Sequence, residues 1–416
     1  WSNTGSSLKS EGGVTRLVKE VIATDDFNVD DLRGFSAHRE NQRADKTNLT
    51  SGSLNSYLAG FCTTAVDIQV PSGQKNVPSA TFSVPGLHYR PLLSVIKEAF
   101  SSPLSMSMHL SPFKLFHQLP NSEVETRVHG ELYSSDSFIN MHDKIQRTPL
   151  PPDESDCKLE RVVAAVMLWS DATHLVNFGT AKLWPIYLML GNVSKYIRAQ
   201  PDSGACHHLA YIPSLPDSFQ DFAMNFHAKW KSQKSNILTH CRRELMHAIW
   251  KVLLTDEFIH AFKYGIVIRC ADGVERRVYP RFFTYSADYP EKVLLATIRD
   301  KGCCPCPRCL VSKSKLDRMG QVRYIQTRLR HVRTCFVEKV KQAQKLIYTD
   351  GRPINGVHVE RLLKETSLVP TENVFVERLG ITDFDFSKLL VVDFLHEFEL
   401  GVWKTLFKHL IRVLYA

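Results

Sequence analysis

The sequence predicts a mixed α/β fold that brings two carboxylates to the C-terminal ends of neighbouring strands, and three observations lead there. Residues 162–169 form an apolar run (Val-Val-Ala-Ala-Val-Met-Leu-Trp) that passes through Ser170 to Asp171. A second strand-like stretch, Phe282-Phe283-Thr284-Tyr285-Ser286-Ala287, stops at Asp288 and hands over to a helix opened by Pro290. Between the two acids lie further strand-like segments and two helical patterns, which is the order of a mixed sheet flanked by helices.

Taken in order, residues 1–80 are rich in Ser, Asn, Asp, Gly and Thr and read as a poorly ordered, loosely packed region. Residues 81–155 read as an accessory region with one short helix over 92–100. It ends in the linker Thr148-Pro149-Leu150-Pro151-Pro152-Asp153, because proline has no N–H to donate. Residues 156–310 read as the core. Its first strand, 162–170, is buried on both faces; the second covers 174–178, closed by Gly179; the third covers 183–190, with Pro185 placing it near an edge. Helices follow over 216–229 and 242–262, then strands over 266–270 and 278–287 around Ala271-Asp272-Gly273. Val293, Leu294 and Ile298 give the helix after Pro290 an apolar face. Ile325, Leu329, Val332, Phe336, Val340 and Ile347 mark one long helix in a basic, Cys-containing insertion. That insertion and a third acidic motif occupy 311–416, which reads as truncated at its C-terminus. The order matches a ribonuclease H-like sheet, in which the first and fourth strands are neighbours.

No apolar run approaches the ~18 residues of a membrane span. The ten cysteines do not form an evenly spaced disulfide framework and read as reduced, structural or metal-bound thiols. The net charge of +9 is concentrated: residues 299–334 hold ten Lys/Arg against two Asp, which suits a polyanion such as DNA or, more plainly, a solvated basic face.

Asp171 and Asp288, if their strands are adjacent, end up near enough to repel unless a cation lies between them. Mg²⁺ or Mn²⁺, with oxygen ligands, waters and phosphates, fits that role; the plain alternative is a pair of turn or cap acids. Cys306 and Cys309 form a Cys-x-x-Cys pair that supplies two of four zinc ligands, the others to come from Cys303, Cys304, His396 or His409. Asp393, Glu397 and Glu399 surround His396, and any of them is a candidate third acid, while Asp393 also suits a helix N-cap. Cys206-His207-His208 reads as a loop with structural histidines. No phosphate-cradling glycine loop, nucleophile elbow or dinucleotide fingerprint is present.

A set of ordered motifs resembles the fungal Plavaka transposases of the CACTA-type cut-and-paste group. These are Trp169-Ser170-Asp171-Ala172-Thr173-His174, Leu183-Trp184-Pro185-Ile186-Tyr187, Gly191-Asn192-Val193-Ser194-Lys195-Tyr196 and Ala210-Tyr211-Ile212-Pro213, followed by Ser286-Ala287-Asp288-Tyr289-Pro290, Cys304-Pro305-Cys306-Pro307-Arg308-Cys309 and residues 393–404. The resemblance covers roughly residues 110–416. It implies a nuclear DNA transposase with a ribonuclease H-like core and Asp171 and Asp288 as first and second acids. The third acid is Asp393, Glu397, Glu399 or a residue beyond 416. It further implies catalytic Mg²⁺ or Mn²⁺, structural Zn²⁺ on Cys306, Cys309 and His396, DNA ends and target as partners, and room for a homo-oligomer. The rival reading is a non-catalytic, zinc-stabilised DNA-binding or domesticated protein.

Overall fold

A computed structural model describes residues 60–174, 182–334, 336–382 and 384–415, with scattered positions between 15 and 36. The chain divides into Trp1–Ala59 and Gly60–Ala416. In the first unit the described residues include one π-helical turn, Val18–Ile22.

The second unit is built on eleven strands among the described residues. They are β1 (Cys62–Val70), β2 (Ala80–Tyr89), β3 (Leu115–Gln118), β4 (Glu125–Val128), β5 (Glu160–Ser170), β6 (Thr173–His174), β7 (Lys182–Leu183), β8 (Pro185–Leu190), β9 (His207–Tyr211), β10 (Ile266–Arg269) and β11 (Glu275–Ser286). Seven form one mixed sheet in the order β1-β2-β9-β8-β5-β11-β10. Within it β5 and β11 run parallel and the other pairs antiparallel. Strand β5 is central because both its faces are apolar. Val162, Ala164, Val166 and Leu168 join the main core, while Val163 and Ala165 meet Tyr279 and the helix Asp136–Arg147 through Phe138 and Ile145.

The long helix Trp230–Leu253 packs on the main core through Ile237, Cys241, Leu245, Ile249 and Trp250, all buried. It also buries two polar residues. His240 is fully enclosed, its Nε2 2.8 Å from Tyr348 OH. Burial, reinforced by the Arg243 charge, pushes its pKa down to about 3. The unfolded imidazole takes a proton near pH 6.5 and the folded one does not, so stability falls as pH drops from about 6.5 toward 3. His240→Gln should flatten this acid limb by up to about 1.4 kcal/mol per pH unit, as read from urea midpoints between pH 4 and 7.

Several expectations are corrected. Part of the region read as poorly ordered, 60–80, contributes β1, and β2 brings residues of the expected accessory region into the same sheet. The second strand expected over 174–178 is not among these corrections: its His174 lies in β6, and residues 175–181 lie outside the described residues. The strand with Pro185 lies between β5 and β9 and not at an edge, and proline is tolerated because it is the first residue of β8. His207 and His208, read as loop, belong to β9, whose Leu209 and Ala210 are buried.

The helix expected over 242–262 is two helices. Thr255 caps the second, Asp256–Tyr264, by accepting from Phe258 N. The long helix expected over 325–347 is also two, Val322–Arg330 and Val337–Tyr348. Between them the chain pairs with the cysteine loop: Leu310 N donates to His331 O at 2.8 Å and Arg333 N to Arg308 O at 2.9 Å. Backbone committed to that pairing cannot continue the helical ladder.

Candidate functional site

The parallel register of β5 and β11 places the two predicted acids side by side. Trp169 is opposite Ser286, and Asp171 and Asp288 each follow two residues later. Adjacent strands are about 4.8 Å apart, so Asp171 and Asp288 follow the same end of the sheet from neighbouring strands. Asp288 caps the helix Tyr289–Leu295, its Oδ1 accepting from Glu291 N at 2.9 Å. The plain cap role read from the sequence and the proximity to Asp171 therefore hold together.

A third segment joins from the other side of β11. Leu390 bridges Tyr285 in the parallel sense, and Val391 N donates to Tyr285 O at 3.2 Å. Asp393 follows Leu390 by the same three residues that separate Asp288 from Tyr285. It caps the π-helix Phe394–Trp403, accepting from His396 N at 3.0 Å, and its other oxygen is 2.9 Å from His396 Nδ1. Burial opposes ionisation of Asp393, but the bonds from His396 and the Lys292 charge outweigh it and hold its pKa below the usual carboxylate value. The hydrogen bond to Asp393 raises the His396 pKa against burial, and the charges of Asp393, Asp171 and Asp288 add to the rise. Asp171, Asp288, Asp393 and His396 thus share one electrostatic field.

Glu397 pairs with the buried Lys292, Oε1 to Nζ 2.6 Å. Glu399 is exposed. The His396 Nδ1 contact with Asp393 leaves Nε2 free, and among the described residues His396 is not gathered with Cys306 and Cys309 into one ligand group. Among the described residues no three His, Cys, Asp or Glu side chains converge as a metal site.

The cysteine pair itself is assembled. The Cys309 thiol bonds to Cys306, and this bond lowers the Cys306 pKa; burial opposes the fall, and the Arg308 and Cys309 backbone N–H groups and the Arg328 charge assist it. The same bond, together with burial, raises Cys309. Arg328 Nη2 is 3.7 Å from the Cys306 sulfur. Two of the four donors of a structural zinc site are in place, and the described residues bring no third to them.

Sequence reasoning missed Glu291. Its Asp288-x-x-Glu291 spacing is that of a capping box, which points to the helix end and nothing more. In the fold its carboxyl turns inward and is buried. It accepts from the Ser170 hydroxyl and from Trp184 Nε1, the latter at 2.9 Å, while Tyr285 OH is 2.8 Å from Ser170 Oγ. Burial pushes its pKa up to about 7, the hydrogen bonds opposing and the charges of Asp288 and Asp171 adding to the rise. This network ties β5, the start of β8, β11 and the next helix together directly beneath Asp171 and Asp288. The Gly191-Asn192 motif has a structural explanation too. Asn192 Nδ2 donates to Val163 O at 2.8 Å and its Oδ1 accepts from Ala165 N at 2.9 Å, locking the strand that carries Asp171.

The predicted basic stretch is a surface. Lys313, Lys315, Arg318, Arg323, Arg328 and Arg330 are all exposed, whereas Arg333 is buried and donates to the carbonyls of Cys304, Cys306 and Thr366. No helix among the described residues is long and apolar enough to cross a membrane.

No curated protein and no solved structure matches the chain. A family profile described as Plavaka transposase matches residues 48–412, and that span holds β5, β11, the cysteine loop and the acidic helix start. The chain therefore belongs to the Plavaka transposase family, whose name implies transposase function and a DNA partner.

Proposed function

We propose that this chain carries the catalytic centre of a nuclear DNA transposase, which cleaves and rejoins DNA phosphodiesters with divalent metal on a ribonuclease H-like sheet. The observation that supports it most is the alignment of Asp171, Asp288 and Asp393 at the same end of three adjacent parallel segments. The strand order β9-β8-β5-β11, with the Leu390 segment parallel beyond β11, agrees with the expected neighbours of such a sheet.

Asp171 and Asp288 offer hard carboxylate oxygens and fit Mg²⁺ or Mn²⁺, which binds through one or two carboxylates and keeps waters and substrate phosphates. Bound there, a divalent ion supplies charge stabilisation and activates the attacking oxygen. Asp393 is assigned as the third acid because it follows the strand in register; Glu397 is neutralised by Lys292 and Glu399 is exposed. The Ser170–Glu291–Trp184 network holds the first two acids in place, and the Lys292–Glu397 pair ties the third segment to the same helix.

The test is cleavage of duplex DNA bearing the element's own ends, with Mg²⁺, with Mn²⁺ and with chelator. Metal-dependent nicking and strand transfer are expected. Tight DNA binding with no metal-dependent cleavage would instead support the non-catalytic DNA-binding reading.

The exposed basic surface predicts its own result. Replacing Lys313, Lys315, Arg323 and Arg330 with Gln should lower duplex affinity similarly on all sequences. It should also reduce the slope of log K against log salt by about 3–4, since each phosphate contact contributes about 0.9. Fluorescence anisotropy at four salt concentrations measures both.

A further inference from the structure

The face of the sheet that leads to Asp171 carries a row of aromatic rings that no part of the acidic site uses. Trp169 on β5 stacks on Tyr187 of β8, with centroids 4.8 Å apart and planes at 21°. Tyr187 meets His208 of β9 edge-on at 4.8 Å, His208 lies 6.0 Å from Tyr211, and Tyr211 lies 5.8 Å from Phe61. The register puts Trp169 opposite Tyr187 and Tyr187 opposite His208, so the row runs across three neighbouring strands.

Cross-strand aromatic pairs stabilise sheets, and that accounts for the half-buried Tyr187 and Tyr211. It does not account for Trp169, which is 40 % exposed, or for His208, also exposed. Further back on this face Val163 and Ala165 are covered by the helix Asp136–Arg147, but among the described residues the cover ends before Trp169. The rings border the acids directly: Asp171 follows Trp169 by two residues, about 6.6 Å along a strand, and its charge reaches Tyr187. At the far end the positive charge of Arg90 acts on His207 and His208.

We propose that this row is a stacking platform for the bases of an unpaired DNA strand, Trp169 receiving the base next to the phosphate presented to Asp171. The inference rests on the reading of Asp171 and Asp288 as the cleavage site. An unpaired strand suits the row better than an apolar protein partner for two reasons. The rings keep polar edges, with His208 Nδ1 2.7 Å from Tyr211 OH, and Arg90, itself paired with Glu98, adds positive charge near His208. Stacking on π-faces, with backbone charge met by basic residues, is how single strands are held irrespective of sequence.

The test uses the whole chain and three labelled oligonucleotides of equal length: single-stranded oligothymidine, the same backbone with abasic sugars, and a duplex. The native protein should bind the base-bearing strand about 5- to 150-fold more tightly than the abasic one. Trp169→Ala should remove most of that preference, Trp169→Phe should keep it because a ring remains, and neither should alter duplex affinity. Equal binding of the native protein to the base-bearing and abasic strands would overturn the proposal, with no need for a folded variant. A preference that survives Trp169→Ala and Tyr187→Ala would also overturn it. Asp171→Asn tests the other reading separately, because it should lose cleavage while retaining the preference for bases. If the native protein never cleaves but its preference for bases depends on Trp169, the catalytic reading fails and the stacking row stands without a cleaved phosphate beside it.

Discussion

Asp171→Asn and Asp288→Asn should each lower metal-dependent DNA cleavage by several orders of magnitude while leaving the fold and the salt-dependent DNA affinity nearly unchanged. Asparagine keeps the side-chain volume and removes the negative charge, and the loss of charge at such a centre removes both metal affinity and transition-state stabilisation. The fold should survive for a specific reason at position 288. Its Oδ1 caps a helix by accepting from Glu291 N, and asparagine caps as well as aspartate does. Asp288→Ala would be a poorer experiment, since losing the cap costs about 0.5–2 kcal/mol by itself.

A second readout is independent of activity. Asp171 and Asp288 both raise the pKa of His396, so either substitution should lower it, which NMR titration of the imidazole can follow. A His396 pKa unmoved by both substitutions would separate the third segment from the first two acids. Cleavage at the native rate by Asp171→Asn would remove the assigned centre.

Trp250→Ala should destabilise the Gly60–Ala416 unit by about 3–5 kcal/mol, a large part of the roughly 5–15 kcal/mol that holds a typical protein folded. Trp250 is fully buried, and its ring lies 5.6 Å from Tyr285 and 4.8 Å from Phe375. It therefore fills the space between the long helix, β11 and the helix Val374–Leu379. Loss of that ring leaves a cavity behind Tyr285, whose hydroxyl supports Ser170 and through it Glu291. The urea midpoint should fall accordingly, whereas Ile325→Ala, at a half-exposed surface position, should change stability by no more than about 0.5 kcal/mol. A Trp250→Ala midpoint equal to that of Ile325→Ala would show that the core is not built around this ring.

The strands that carry the acids were legible because each is a local pattern. Residues 162–169 are apolar on both faces, and only a central strand needs that. Asp288-Tyr289-Pro290-Glu291 is a helix-start signal contained within four residues. The break at Thr255 was also written locally, as a capping residue followed by Asp256 and Glu257, but the continuous apolar spacing on both sides obscured it. The break at 331–336 was not written locally at all. It arises from pairing with residues 308–310, which a periodicity within one segment cannot express. The sheet membership of β1 and β2 was hidden for a similar reason: their polar residues alternate with a few buried ones, and the burying surfaces are distant in sequence, the helix Trp230–Leu253 for β1 and Phe219 and Phe222 for Phe82 of β2.

Side-chain chemistry along the chain was enough to place Asp171 and Asp288 at strand ends, Cys306 and Cys309 in one loop and a basic surface between 299 and 334, because spacing and charge are properties of the chain itself. The parallel register that aligns Asp171 with Asp288, the bond between His396 and Asp393, the pairing of Glu397 with Lys292 and the burial of Glu291 were decided only by the tertiary structure. Each depends on which segments pack together, and burial and Coulomb energy act between neighbours in space, however far apart they stand in sequence.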